Sequence, residues 1–187
     1  LSSSHWIVVA LAGVTNSGKT TVTKKLRSII PNSECIFQDL YFRDPNDPNH
    51  KYLEDLKHNN WELLTAINTD KMWTDIEEIL RRPRIDPSKK KVLLIDGFLV
   101  LNFQKTVELC DLKYYLRLSK EVTWERRQTR TYDPPDVPGY FEQIVWPEHL
   151  KSFQQMLEMN KCVVLIDGTC PVQFTMERIL QDINCRL

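Results

Sequence analysis

The run Gly13-Val-Thr-Asn-Ser-Gly-Lys-Thr20 constrains this chain more than any other feature. It fits GxxxxGK[ST] in full and lies between an apolar run and an amphipathic one. Its glycines let successive backbone N–H groups wrap a chain of phosphates, and the helix that follows turns its positive end toward them. Lys19 carries a point charge toward the outer phosphates, and the Thr20 hydroxyl can ligate Mg²⁺. The motif requires a buried strand before it and a helix after it. WIVVALA (6–12) is apolar on both faces, and TVTKKLRSII (21–30) reads as a helix ending at Pro31.

The same alternation continues along the chain. SECIFQ (33–38), KVLLIDG (91–97), DLKYYLRL (111–118) and CVVLID (162–167) read as further strands. TDKMWTDIEEILRR (69–82), with Thr69 as N-cap, reads as a helix with Met72, Trp73, Ile76, Ile79 and Leu80 as its apolar stripe. SKEVTWERRQTR (119–130), capped by Ser119, a stretch from about Phe141, and PVQFTMERILQDI (171–183) complete the helices. Residues 43–60 are polar and loop-like, 83–91 form a linker rich in Pro and Lys, and YDPPDVPG (132–139) is a rigid loop. Strand–helix alternation of this kind implies an α/β fold with a parallel sheet covered on both faces. The 187 residues favour one domain, 1–187.

Charge and composition exclude several classes. Lys+Arg and Asp+Glu are both 25, so phosphate-backbone binding lacks its basic excess and no nucleic-acid partner is expected. No apolar run reaches the roughly 20 residues of a membrane span. The opening LSSSHWIVVALAG lacks a basic n-region and reads as a strand rather than a signal peptide. Cys35, Cys110, Cys162, Cys170 and Cys185 are odd in number and scattered, which fits free thiols in the cytoplasm. His5, His50, His58 and His149 show no zinc spacing.

Two carboxylates narrow the chemistry. Asp39 follows the second strand and Asp96 ends the third, so a parallel sheet brings both to its carboxyl edge beside the P-loop. There a carboxylate holds Mg²⁺ or accepts the proton of an attacking hydroxyl. Arg126, Arg127 and Arg130 suit phosphoryl oxygens whose charge shifts in the transition state, and they fit a lid at about 120–140 that closes and excludes water. Lys19, Asp39 and Arg127 form the expected catalytic set, and Thr20, Asp39 and Asp96 the metal set. No NKxD guanine motif is present.

With these residues stated, the chain resembles the nicotinamide riboside kinases of the P-loop nucleoside-kinase group. The resemblance runs from about Ile7 to Ile183 and is most specific in RRQTRTYDPPDVPGYFEQIVWPEHLK (126–151). It implies a three-layer α/β/α fold with five parallel strands in the order 2-3-1-4-5 and a mobile helical lid. Carried across by position, Gly13, Val14, Thr15, Asn16, Ser17, Gly18, Lys19, Thr20 and Thr21 serve ATP. So do Arg126, Arg130, Thr131, Tyr132 and the adenine-side residues Cys170, Pro171 and Val172. Asp39, Leu40, Tyr41, Phe42, Trp61, Glu62, Arg127, Tyr132 and Asp133 fall on the nucleoside side, with Asp39 as base toward the 5′-hydroxyl. Four positions depart from the family pattern. Leu40 replaces a second aspartate, Trp61-Glu62 replaces a Tyr-Asp type pair, and Asp96 stands where relatives often show Glu.

The activity so implied is phosphorylation of the 5′-hydroxyl of nicotinamide riboside, and of nicotinic acid riboside, feeding NAD synthesis. It uses ATP (or GTP) with Mg²⁺, in a monomer or weak homo-oligomer. The alternatives are a uridine-type or other small-metabolite kinase of the same fold, and a nucleotide-binding switch or scaffold without turnover. Facing rings at Trp61 and Tyr132 are expected to form a slot that favours a cationic base.

Overall fold

The computed structural model describes residues 5–83 and 90–187, so 84–89 of the expected linker lie outside the described residues. Five parallel strands form the central sheet: β1 (Trp6–Gly13), β2 (Ser33–Phe37), β3 (Lys91–Asp96), β4 (Leu112–Arg117) and β5 (Val164–Asp167). Their order across the sheet is β2-β3-β1-β4-β5. Numbered along the chain this is the 2-3-1-4-5 arrangement expected above.

Period-two alternation in β1 sends its side chains to two separate cores, and this makes the fold three-layered. Trp6, Val8, Ala10 and Ala12 enter one core with Met72, Ile76 and Met156. These come from helices α2 (Thr69–Arg81) and α5 (Trp146–Met159), and the short α3 (Gln104–Leu109) flanks them. Ile7, Val9 and Leu11 enter the other core with Val22, Leu26, Met176 and Ile179. Those residues belong to α1 (Lys19–Ile29) and α6 (Val172–Asn184). A third, smaller cluster of Tyr140, Phe141 and Val145 packs with Leu53, Leu56 and Trp61. It ties the segment after α4 (Lys120–Gln128) to the loop beyond β2.

Four local expectations are corrected. The cap of α2 is Asn68, whose side chain accepts from Lys71 N, and Thr69 is already helical. The polar stretch 43–60 contains a two-residue ladder, Tyr52–Leu53 against His58–Asn59, too short to leave a periodicity. The helix after Phe141 opens with a π-turn (Phe141–Val145) and becomes regular at Trp146. Helix α4 stops at Gln128, so Arg130 lies beyond it and does not share its face with Arg126. Ser119 does cap α4, accepting from Val122 N at 3.3 Å. No helix among the described residues is long and apolar enough to cross a membrane.

Candidate active site

The strand register brings the chemistry together. Asp96 pairs across the sheet with Leu11 on one side and Phe37 on the other, so the P-loop, Asp96 and the turn carrying Asp39 leave the sheet at one edge. That turn is a single 3₁₀ element, Gln38–Tyr41, and it is braced from within. Gln38 Oε1 accepts from Leu99 N at 2.9 Å, and a Cβ added at Gly97 would lie 2.4 Å from Gln38 Cβ. Only glycine permits that approach. The loops after β2 and β3 are therefore one packed unit.

The P-loop presents an anion seat. Helix α1 has no side-chain cap and no acidic residue in its first turn, so its orphan N–H groups stay available. Gly18, at φ 92°, makes the turn into the helix, and Asn16 also adopts the left-handed region at φ 61°. Lys19 is buried, and its Nζ donates to Val14 O at 2.9 Å. Burial pushes its pKa down, while the carboxylates of Asp96 and Asp39 pull it back.

A cavity of about 690 Å³ opens from this seat. Thr15, Asn16, Gly18, Lys19, Thr20 and Thr21 form one end, and Asp39 lies on its wall. Phe42, Pro45, Trp61 and Phe98 supply an aromatic side, while Arg126, Arg127, Arg130, Thr131, Tyr132 and Asp133 close it from the segment after β4. Asp96 lies beneath rather than on the wall. It is 3% exposed, burial raises its pKa against the opposing pull of Lys19, and its Oδ2 has no partner among the described residues.

The segment after β4 grips the P-loop through several contacts. Arg126 Nη1 donates to Asn16 O and to Gly168 O, both at 3.2 Å. Arg130 Nη1 donates to Asn16 Oδ1 at 3.2 Å, and the Tyr132 hydroxyl accepts from Asn16 Nδ2 at 3.0 Å. Arg127, only 5% exposed, is the centre of a clamp. It donates to Asp136 through Nε at 2.5 Å and Nη2 at 2.9 Å, and to Thr15 Oγ1 at 3.3 Å. Glu62 Oε1 lies 3.8 Å from Arg127 Nη2.

Burial raises the Glu62 carboxyl to about 7; Arg127 pulls it down, and Asp136, Asp39 and Glu148 push it further up. The folded chain thus holds this proton more tightly than the unfolded chain does. Stability from Glu62 is therefore full below about pH 4.5 and is lost as pH rises through about 7, at roughly 1.4 kcal/mol per unit. Melting temperatures of Glu62→Gln and the unmodified chain, compared across that range, are expected to show the slope flattened in the variant.

Several nucleoside-side expectations shift. Leu40 is 77% exposed and does not reach the cavity, because the 3₁₀ turn directs it outward. Tyr41 is buried in the core with its hydroxyl donating to Asp75 at 2.7 Å, so it anchors α2. Phe42, Trp61, Glu62, Tyr132 and Asp133 do meet at the cavity. Gly13, Val14 and Ser17 lie behind the cavity wall, where their backbone forms the loop. Cys170, Pro171 and Val172 lie off the wall, with Val172 packed on the α6 core, although Arg126 reaches the adjoining Gly168. The facing-ring slot is also revised, since the Arg127 guanidinium already sits 4.2 Å from the Tyr132 ring centroid.

Asp136, Arg43 and Tyr140 escaped the sequence reading. Tyr140 accepts from Trp61 N at 2.9 Å and pins the aromatic wall. Asp136 was legible only as an acid in a proline-rich run; its partner Arg127 is nine residues back.

A GKT phosphate seat at the sheet edge, a carboxylate beside it and an arginine-rich cover over a ring-lined cavity define a P-loop kinase of the nucleoside type. Comparison with known proteins agrees. The family model described as "AAA domain" matches residues 9–147. The chain is 35% identical over 172 residues to nicotinamide riboside kinase 1 of Homo sapiens, covering 87% of this chain and 84% of that protein. It is 31% identical to the Mus musculus protein of that name, covering 96% and 95%. Among solved structures, shikimate kinase from Acinetobacter baumannii matches the fold with TM-score 0.57 at 16% identity, covering 97% of this chain and 94% of that one. The chain belongs to the nicotinamide riboside kinase family.

Proposed function

We propose that this kinase transfers the γ-phosphoryl group of ATP to the 5′-hydroxyl of nicotinamide riboside, and of nicotinic acid riboside, feeding NAD synthesis. The observation that carries the reading is one cavity holding Lys19 and the P-loop, Asp39, and the Trp61-Glu62 pair clamped by Arg127. Asp39 accepts the hydroxyl proton, Lys19 meets charge growing on the transferred group, and Arg126 and Arg130 hold phosphate oxygens. Arg127 neutralises the reacting end and, with Asp136, orients Glu62 toward the ribose hydroxyls. Residues of about 120–140 act as a closing lid on the single domain.

The residues fit Mg²⁺. This ion takes one or two carboxylates, a hydroxyl and substrate phosphates rather than a dense protein cage. Among the described residues no cluster of three His, Cys, Asp or Glu offers such a cage. Asp96, with an unpartnered buried oxygen, lies close enough to Lys19 to act on its charge together with Asp39, and it adjoins the Thr20 hydroxyl. Thr20, Asp39 and Asp96 would hold the ion, which supplies charge neutralisation between the outer phosphates when bound.

ADP release against a panel of nucleosides, with ATP and Mg²⁺, tests the assignment. Turnover dependent on a pyridinium riboside is expected, and ADP release indifferent to nucleoside would overturn it. Glu62 adds a signature: kcat/KM for the riboside should fall on the acid side with a midpoint near 7. Glu62→Gln should remove that limb. Trp61→Leu keeps apolar bulk but loses the ring quadrupole, so nicotinamide riboside should weaken more than neutral uridine, by about two- to thirtyfold. An unchanged substrate ratio with a lowered melting temperature would make Trp61 a packing residue only.

A further inference from the structure

We infer that Arg43 reads the substituent on the substrate's base and favours a riboside whose flat cationic ring bears a carboxylate. The inference deepens the riboside-kinase reading and rests on it. The remaining cations on the cavity wall are the P-loop Lys19 and the lid arginines, which serve the phosphates and the ribose clamp. Arg43 is separate from both groups. It lies between Phe42 and Pro45 in sequence, and all three line the cavity with Trp61. Phe42 meets Trp61 edge to face, with ring centroids 5.7 Å apart, so Arg43 adjoins the wall against which a base would lie.

Its attachment leaves one nitrogen free. Arg43 N donates to Ala66 O at 2.9 Å and Nε donates to Thr65 O at 3.1 Å. Nη1 meets Asp47 Oδ2 at 3.3 Å. Nη2 makes no hydrogen bond among the described residues. The guanidinium is thus held in place by the 42–43/65–67 contact while one donor edge stays uncommitted. Its side chain is 19% exposed, and Nη2 is not among the buried unpartnered atoms, so that edge is open to a ligand in the cavity.

Charge decides which substituent gains more. A carboxamide riboside brings a net positive ring toward a cation already half-neutralised by Asp47, and its carbonyl accepts a neutral-acceptor hydrogen bond. A carboxylate cancels the ring's charge and accepts a charge-assisted bond, roughly twice as strong. Losing such a bond typically costs about tenfold to a hundredfold in kcat/KM.

The test compares kcat/KM for nicotinic acid riboside and nicotinamide riboside in the unmodified chain, Arg43→Met, Arg43→Lys and Asp47→Asn. Arg43→Met should lower the acid-to-amide ratio about tenfold or more, and Arg43→Lys should retain part of it. Asp47→Asn keeps an acceptor for the turn at Asn49 but frees the guanidinium, so the ratio should rise. An unchanged ratio in Arg43→Met, with melting temperature preserved, overturns the inference. If Arg43→Met fails to fold, an unchanged ratio in Asp47→Asn overturns it instead. An unmodified chain that turns over only the amide riboside also refutes it while leaving the kinase reading standing. One that turns over neither riboside refutes both.

Discussion

Asp39→Asn is expected to lower kcat by about 10²–10⁴, the range that a positioned general base contributes. The substitution preserves size but removes both the charge and the proton acceptor. The 3₁₀ turn around it is held by Gln38, not by Asp39, so the fold and melting temperature should stay close to those of the unmodified chain. ATP affinity should change less than kcat, because the contacts of the P-loop remain. Single-turnover phosphoryl transfer with saturating ATP and riboside measures the loss directly. The companion variant Asp96→Asn discriminates roles. Asp96 lies beneath the cavity wall, so its loss should act through Lys19 and Thr20 and be smaller. If Asp96→Asn were the more damaged protein, the base and the supporting carboxylate would have to exchange places.

Lys19→Ala is the second large effect, a loss of about 10²–10³ in kcat, comparable to deleting one preorganised donor. Lys19 is buried and already aimed by its bond to Val14 O. Little reorganisation remains to be done when phosphate arrives. Removing the ammonium also leaves Asp96 and Asp39 without the cation that offsets their mutual proximity. The variant should therefore bind Mg²⁺ no more weakly while turning over slowly. Turnover near that of the unmodified chain would remove the P-loop lysine from the mechanism.

The legible part of this molecule was the part in which chemistry is local. Residues 13–20 announce their backbone shape through glycine spacing, and the alternation of β1 between two cores follows from seven apolar residues in a row. The carboxyl-edge aspartates could be placed because strand ends are visible and parallel sheets put their ends together. What stayed hidden depended on partners distant in sequence. Arg127 was visible as a cation, but its clamp on Thr15, Glu62 and Asp136 draws on three separate segments. The resemblance puts Tyr41 on the nucleoside side, yet the 3₁₀ turn sends its hydroxyl to Asp75 of α2. The two-residue ladder near Tyr52 was invisible for a simpler reason: a strand that short has no period to detect.

The brace of Gln38 against Gly97 also bears on how this molecule can change over generations. A substitution at either partner disturbs the loops carrying Asp39 and Asp96 together, so novelty there is expected to cost catalysis before it can be useful. The ring-lined side has no such joint. Phe42, Arg43 and Trp61 each keep one backbone contact, to Ile67, Ala66 and Tyr140 respectively, that survives a change of side chain at those three positions. New substrates are thus open to drift at one end of the cavity while the other stays locked. A library confined to those three positions should yield altered riboside preference at an undiminished fraction of folded protein, whereas one confined to Gln38 and Gly97 should yield mostly inert chains.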